Sequence, residues 1–368
     1  MDADRFEIFM VATPGLEAPL ADEMRELGWS PDIQPGGLTI RGGWTDVWRA
    51  NLMLRGATRV LARVGSFRAL HLAQLDKRAR KFPWSDVLRQ DQPVKVEAVC
   101  KASRIYHAGA AAQRIERAIR EELGAPVSAD AGIVVKLRIE DDLATISLDT
   151  TGPSLHKRGH KPAVAKAPMR ETMAAMFLRQ MGFDGSQTVL DPMCGSGTFV
   201  IEAAEIAAGL APGRSRSFAF ENLAGFDAAA WQRMRDSVVP RQPGLRFFGS
   251  DRDAGAIRMS SRNAETAGVE NLTRFECRAI GDLARPDAAP GIVIVNPPYG
   301  ARIGNKGPLF GLHAAMGEVF RSRFQGWRVG IVTSEAGLAK ATGLPWQAPG
   351  PIVAHGGLKV RLWQTAPL

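Results

Sequence analysis

The residues best suited to chemistry lie in Ile292-Val293-Ile294-Val295-Asn296-Pro297-Pro298-Tyr299-Gly300, where an apolar run delivers an asparagine, two prolines and a tyrosine. Consecutive prolines fix the backbone and remove N–H donors, so the turn offers mainly oxygen acceptors. Acceptors suit an exocyclic base amine, whose lone pair is delocalised into its ring and which is a poor nucleophile. Hydrogen bonds from its two N–H groups to the Asn296 side-chain oxygen and the Pro297 carbonyl favour a tetrahedral nitrogen with a localised lone pair. Pro298 holds the turn, and Tyr299 is placed to stack on the base. Attack on the methyl of a sulfonium then needs alignment more than a strong base. The plainer reading, a proline-rich turn that only ends a strand, loses ground because of the motifs that accompany it.

The first of these is Val189-Leu190-Asp191-Pro192-Met193-Cys194-Gly195-Ser196-Gly197-Thr198, an apolar strand entering a Gly-rich loop and then a helix. Glycines at a strand's carboxyl end let a ligand approach the backbone. The helix N-terminus, with Thr198 as a cap, favours a carboxylate, and Asp191 supplies an anion for an ammonium or for orienting the loop. Those two demands describe the amino-acid end of S-adenosylmethionine, with Asp191, Pro192, Cys194, Gly195, Ser196, Gly197 and Thr198 as its contacts. An ordinary strand-turn-helix corner would read the same in isolation. In Phe248-Gly249-Ser250-Asp251 a carboxylate ends another strand, where it can accept both ribose hydroxyl hydrogens. Arg252 adjoins it and Asp253 is its rival. Ala279-Ile280 marks the expected adenine pocket, with Asp282 nearby. Asn296 serves cofactor and substrate alike.

The elements that must position these residues alternate strand and helix from Met169 onward, which implies a mostly parallel sheet with helices on both faces, a Rossmann-like α/β domain over 169–368. Asp251 follows the Gly-rich loop by more than the usual interval, so Ala211–Gly244 is expected to be an inserted lid or surface excursion. Ahead of it, strand and helix patterns in the order βαββαβ over 1–68 suggest a ferredoxin-like sandwich, and 69–150 forms another α/β unit. Residues 151–168 read as a basic interdomain linker, in which His156 and His160 are expected to contact RNA or water rather than a metal.

Composition sets the outer limits. Hydrophobic residues make up 45% of the 368 and charged residues 23%, as in ordinary globular chains. No apolar run reaches the roughly 18 residues a membrane span needs, and Met1–Gly15 has no signal-peptide pattern. Three scattered cysteines without a CxxC pair argue against a disulfide framework and a structural zinc site. A net charge of +9 favours a polyanionic partner. The expectation is a cytoplasmic monomer with no metal and no membrane partner.

With these motifs in hand, the chain resembles the THUMP-domain RNA guanine-N2 methyltransferases, especially those acting on large-subunit ribosomal RNA. Besides the loops above, Val94-Lys95-Val96-Glu97-Ala98 and Lys101-Ala102-Ser103-Arg104-Ile105-Tyr106-His107 look like parts of a THUMP domain. Thr151-Gly152-Pro153-Ser154-Leu155-His156-Lys157-Arg158-Gly159-His160-Lys161 and Ala167-Pro168-Met169-Arg170-Glu171-Thr172 look like the family's join into the catalytic domain. The resemblance implies methyl transfer from S-adenosylmethionine to N2 of a guanine in 23S ribosomal RNA, with the 69–150 module binding RNA. Some members carry a second methyltransferase domain at the C-terminus, for which this chain is too short. The same reaction on transfer RNA, N6-adenine methylation of DNA and a non-catalytic RNA-binding factor remain alternatives. A dinucleotide-dependent oxidoreductase would give the Asn296–Tyr299 turn no role.

Overall fold

In the computed structural model, which describes residues 5–160, 169–298 and 307–368, the described residues fall into two compact units. The first comprises the chain up to Ala12, Met24–Leu155 and Arg216–Ser237; the second comprises Thr13–Glu23, His156–Ser215 and Val238–Leu368.

The front of the chain runs β1 (Phe6–Val11), α1 (Glu17–Glu26), β2 (Asp32–Gln34), β3 (Gly37–Gly42), α2 (Trp44–Met53) and β4 (Arg59–Arg68), in the expected βαββαβ order. Alternation explains β1: Ile8 and Met10 are fully buried, whereas their neighbours are half-buried. There follow α3 (Leu72–Arg80), β5 (Val94–Lys101), α4 (Ala108–Ala118), β6 (Ile133–Glu140) and β7 (Leu143–Asp149). All seven strands form one sheet in the order β2-β3-β1-β4-β7-β6-β5, because β4 pairs antiparallel with β7. The strands of the two expected front modules are therefore hydrogen-bonded to each other rather than merely strung in sequence.

The second unit contains α5 (Glu171–Gln180), β8 (Val189–Asp191) and α6 (Thr198–Ala207). After an excursion carrying α7 (Ala228–Asp236) it continues with β9 (Phe247–Asp251), α8 (Ala254–Ala267), β10 (Thr273–Cys277) and β11 (Ile292–Val295). It ends with α9 (Gly307–Arg323), β12 (Arg328–Thr333), α10 (Ala336–Ala341), β13 (Val353–His355) and β14 (Leu358–Gln364). The sheet order is β10-β9-β8-β11-β12-β14-β13, parallel from β10 to β12 and antiparallel at β14 and β13. β8 and β11 are buried throughout, as strands covered on both faces require, and β11 is apolar along its whole length while β8 ends in Asp191. Val293, Val295, Val329 and Ile331 pack with Phe320, Phe324 and Trp327 into a core beside β11.

Two expectations are corrected. The excursion around Trp231 is neither a lid nor a surface loop. Arg216–Ser237 belongs to the first unit, where Phe220 stacks near Trp48 at 6.1 Å and meets Trp231 edge-on at 5.1 Å. Trp231 is 4% exposed. Four aromatic rings within 14 residues, Phe218, Phe220, Phe226 and Trp231, carry too much apolar area to stay in water, and that was the overlooked signal. The linker histidine His160 is likewise neither solvated nor free for RNA: it is 3% exposed and pairs with Glu205 at 2.7 Å, while Arg158 pairs with Glu202 at 3.1 Å. Glu202 and Glu205 lie on α6, so the described part of this segment straps that helix through the buried Arg158–Glu202 ion pair and the buried His160–Glu205 contact.

Candidate active site

Strand order decides where chemistry can occur. β8 is flanked by β9 on one side and β11 on the other, so the connections leave it in opposite directions and open a crevice at the carboxyl ends. The Gly-rich loop, the β9 carboxylate and the Asn-Pro-Pro turn all emerge on that edge. Ile292 and Val293 pair with Val189 and Leu190, which brings Asn296 and Asp191 out beside each other on neighbouring strands.

Asp191 ends β8 with 3% exposure, and its Oδ1 accepts from the Met193 N–H at 3.0 Å. Burial pushes its carboxyl up to about 8, against a smaller lowering by the Met193 N–H, and the Asp251 charge raises it further.

The loop that follows is built from backbone. The Cys194 N–H donates to the Ser250 carbonyl at 2.9 Å, the Gly195 N–H to Asp251 Oδ2 at 3.0 Å, and the Ser196 carbonyl accepts from Asn263 Nδ2 at 3.0 Å. Gly195 and Gly197 both sit in the left-handed region, at φ +53° and +82°. They serve different ends. A Cβ on Gly197 would lie 2.9 Å from the Ser260 Cβ, whereas one on Gly195 would meet nothing within 4 Å. Gly197 is thus required by packing, and Gly195 leaves room against the backbone for a ligand. Gly197, not Thr198, is the cap of α6, and it offers no side-chain cap. Thr198 is the first helical residue, buried at 5%.

Cys194 is buried, and burial pushes its thiol up, so its side chain belongs to the core and only its backbone lines the loop. Pro192 and Ser196 are buried too. Asp251 is half-buried, with Oδ2 on Gly195 and Oδ1 accepting from the Asp253 N–H at 3.0 Å, which leaves further lone pairs on both oxygens. Its rival Asp253 caps α8 by accepting from the Gly255 N–H at 2.7 Å. Arg252 and Ala279 are exposed, and the Arg278 N–H donates to the Asp251 carbonyl at 2.9 Å, which brings the exit of β10 alongside. Asp282 is exposed in the short turn Ile280–Asp282.

Asn296 follows β11 directly. Its Oδ1 is buried and has no hydrogen-bond partner among the described residues. Pro297 is buried and Pro298 exposed. Tyr299, Gly300 and Arg302 lie outside the described residues. Ser250 and Asn263 were missed in the sequence. Ser250 acts chiefly through its carbonyl, for which a sequence carries no sign, but Asn263, fully buried on a face of α8 made otherwise of alanines and Ser260, is a large polar side chain that could have been noticed.

A doubly wound sheet in this strand order, with a backbone cradle at β8, a carboxylate at β9 and an acceptor turn at β11, defines a class I methyltransferase domain. The comparisons give the family. Residues 158–347 match the RMKL-like methyltransferase domain and residues 7–61 match the RlmL ferredoxin-like domain, and the chain belongs to this methyltransferase family. It is 36% identical over 365 residues to a "Ribosomal RNA large subunit methyltransferase K/L" of Syntrophotalea carbinolica, an alignment covering 94% of this chain and 51% of that protein. It is 30% identical over 367 residues to "Putative RNA methyltransferase slr0064" of Synechocystis sp., covering 96% of this chain and 95% of that protein. The crystal structure of SMU.472 complexed with SAH superposes with a TM-score of 0.89 at 28% identity, covering 99% of each chain. The chain spans about half the length of several of the K/L methyltransferases it matches. Among the described residues, no helix is long and apolar enough to cross a membrane, and no three His, Cys, Asp or Glu side chains are grouped to hold a metal ion.

Proposed function

We propose that this protein transfers a methyl group from S-adenosylmethionine to the exocyclic N2 of a guanine in 23S ribosomal RNA. The observation that carries the reading is the Asn296 Oδ1: a buried oxygen acceptor without a donor among the described residues, at the end of the strand beside the Gly-rich loop. A buried acceptor left unmade costs free energy, on the order of 1–3 kcal/mol, unless a ligand supplies the donor. An amine does. The names of the K/L relatives and the RlmL-like front domain favour ribosomal over transfer RNA.

S-adenosylmethionine supplies an electrophilic methyl on a sulfonium. Asp191 would receive the ammonium of its amino-acid end, the start of α6 would face the carboxylate, Gly195 would leave room for the ligand's approach, and Asp251 would take the ribose hydroxyls. Pro192, Cys194, Ser196, Gly197 and Thr198 shape that cradle, and Arg252 and Ala279 border the nucleoside. Asn296 Oδ1 and the Pro297 carbonyl accept the two amine hydrogens, Pro298 fixes the turn, and Tyr299 stacks on the base. Alignment supplies most of the rate. Residues 69–150 act as a THUMP RNA-binding module, with 1–68 as the ferredoxin-like domain, 151–168 as the join and 169–368 as the catalytic domain. The protein works as a cytoplasmic monomer on RNA.

Incubation with labelled S-adenosylmethionine and unmodified ribosomal RNA, followed by nucleoside mass spectrometry, is expected to yield N2-methylguanosine in 23S RNA. Methylation of transfer RNA alone, or no incorporation, overturns the assignment.

A further inference from the structure

The loop leaving β5 has features that neither the fold nor the methyl-transfer site uses. Tyr106 is the most exposed large apolar side chain among the described residues, at 86%, although its neighbour Ile105 is buried at 4%. The same corner carries exposed Leu70 and Leu143. Arg68, Leu143, Glu140 and Lys101 are successive register partners across β4, β7, β6 and β5, so they form one row along the end of the sheet from which the loop departs.

The loop is held in place. Ser103 Oγ donates to the Lys101 carbonyl at 2.7 Å and accepts from the Asp142 N–H at 3.1 Å, and Asp142 Oδ1 accepts from the Arg104 N–H at 2.8 Å. On the far side, His107 caps α4 by accepting from the Ala110 N–H at 2.9 Å. Ala102 lies at φ +45°, a left-handed conformation unfavourable for a residue with a Cβ. Asp141 and Asp142 share that region for an ordinary reason, since they form the two-residue turn between β6 and β7. Ala102 has no such reason. A strained residue persists where its surroundings over-determine it, and here they set a tyrosine in water on a stiff mount. Such preorganisation lowers the entropy lost on binding.

Charge narrows the choice of ligand. Lys101 pairs with Glu140 at 2.9 Å, Arg138 with Glu140 at 2.6 Å, and Arg104 lies 3.8 Å from Asp142. With Arg68 and Asp141 included, cations and carboxylates nearly balance, so the corner is no track for a run of phosphates. A flat, uncharged heterocycle fits it better. We propose that Tyr106, on the Lys101–His107 loop, is a stacking platform for an unpaired base of the RNA. The proposal rests on the reading of the substrate as RNA, and it adds a site remote in sequence from the methyl-transfer residues.

The test uses the full chain with Tyr106→Ala, Tyr106→Phe and Tyr106→Trp. The probes are a single-stranded oligoadenosine and a fully paired RNA of equal length, each titrated by fluorescence anisotropy. Tyr106→Ala is expected to weaken single-strand binding about tenfold, the Phe and Trp variants to keep it, and paired RNA to bind all four proteins alike. Because stacking releases no counterions, the tenfold ratio is expected to hold from about 50 to about 200 mM salt. Exposure of the ring means that all variants should melt with the parent, which keeps misfolding out of the comparison. Unchanged single-strand binding by Tyr106→Ala, equal loss on paired RNA, or a ratio that vanishes with salt overturns the platform. A protein that shows this pattern yet leaves ribosomal RNA unmethylated would sink the functional assignment and keep the platform; the converse result would do the opposite.

Discussion

Asn51 in the first unit and Asn296 in the second are the same side chain treated in opposite ways. Asn51 is fully buried and saturated: its Nδ2 donates to the Val47 carbonyl at 3.0 Å and to Thr150 Oγ1 at 2.9 Å, and its Oδ1 accepts from Thr151 Oγ1 at 2.8 Å. Asn296 buries its Oδ1 with no donor among the described residues. The contrast extends to acids. Asp149 of the first unit has Arg59 at 2.6 Å, while the charged neighbour that perturbs Asp191 in the second is another carboxylate, Asp251. Asn51 and Asp149 are paired inside the first unit, whereas on the carboxyl edge of the second sheet Asn296 Oδ1 has no partner among the described residues. Such openness costs stability and is retained where a ligand completes the set.

The sharpest way to break this comparison is to truncate both asparagines. Asn296→Ala is expected to lower methyl transfer by about 10²–10³-fold, the effect of losing one preorganised partner of the reacting group. Its unfolding free energy should change little, since the lost oxygen has no partner to abandon among the described residues. A variant that stays active, or that falls in stability as far as a core deletion, would remove the distinction. Next in size is the strap on α6. Arg158→Met leaves Glu202 buried without its guanidinium and is expected to cost about 3–5 kcal/mol in urea unfolding, most of it regained in the double variant Arg158→Met/Glu202→Met. Asn51→Ala abandons Thr150 and Thr151 and should cost about 2–3 kcal/mol, with the rate per folded molecule unchanged.

Particular residues explain how much of this was legible in the sequence. Apolar periodicity and Gly or Pro punctuation gave the βαββαβ order of the front and the apolar strands entering the two motif loops, β8 and β11, because each strand or helix carries its own pattern over its whole length. The Gly-rich loop and the Asn-Pro-Pro turn were legible for a similar reason: their chemistry is local. What was lost was non-local. His160 read as facing RNA or water because nothing beside it in sequence could pair with it; Glu205, more than 40 residues on, does so. The Phe218–Trp231 aromatics read as part of an inserted lid or surface excursion because Asp251 follows the Gly-rich loop at so long an interval, whereas their partner Trp48 lies far upstream. The joining of β4 to β7, which merges two expected modules into one sheet, depends on a pairing no periodicity reveals.

Asp191 gives a smaller effect whose sign tests the idea of an unpaired anion. Its ordinary value is 3.8 and the fold raises it to about 8, so between those limits the folded chain binds more protons than the unfolded one. Stability is then lost as pH climbs through that window. Urea midpoints of the cofactor-free protein should fall between about pH 5 and about pH 8, and Asp191→Asn should flatten that part of the profile. A slope that survives in the variant would mean that other groups set it.

The smallest effects separate the two loop glycines. Both hold left-handed backbone, so alanine at either costs on the order of 1 kcal/mol from conformation alone. At Gly197 the new methyl must also displace the Ser260 Cβ, 2.9 Å away, with Ile201 Cδ1 at 3.2 Å, so Gly197→Ala should lose clearly more stability than Gly195→Ala. At Gly195 the methyl enters open space, where the cradle would receive its ligand. Gly195→Ala should therefore weaken S-adenosylmethionine binding in calorimetry beyond anything its modest loss of stability explains. Equal losses in both quantities for the two variants would mean that the open face of Gly195 is an accident of packing rather than a seat for the cofactor.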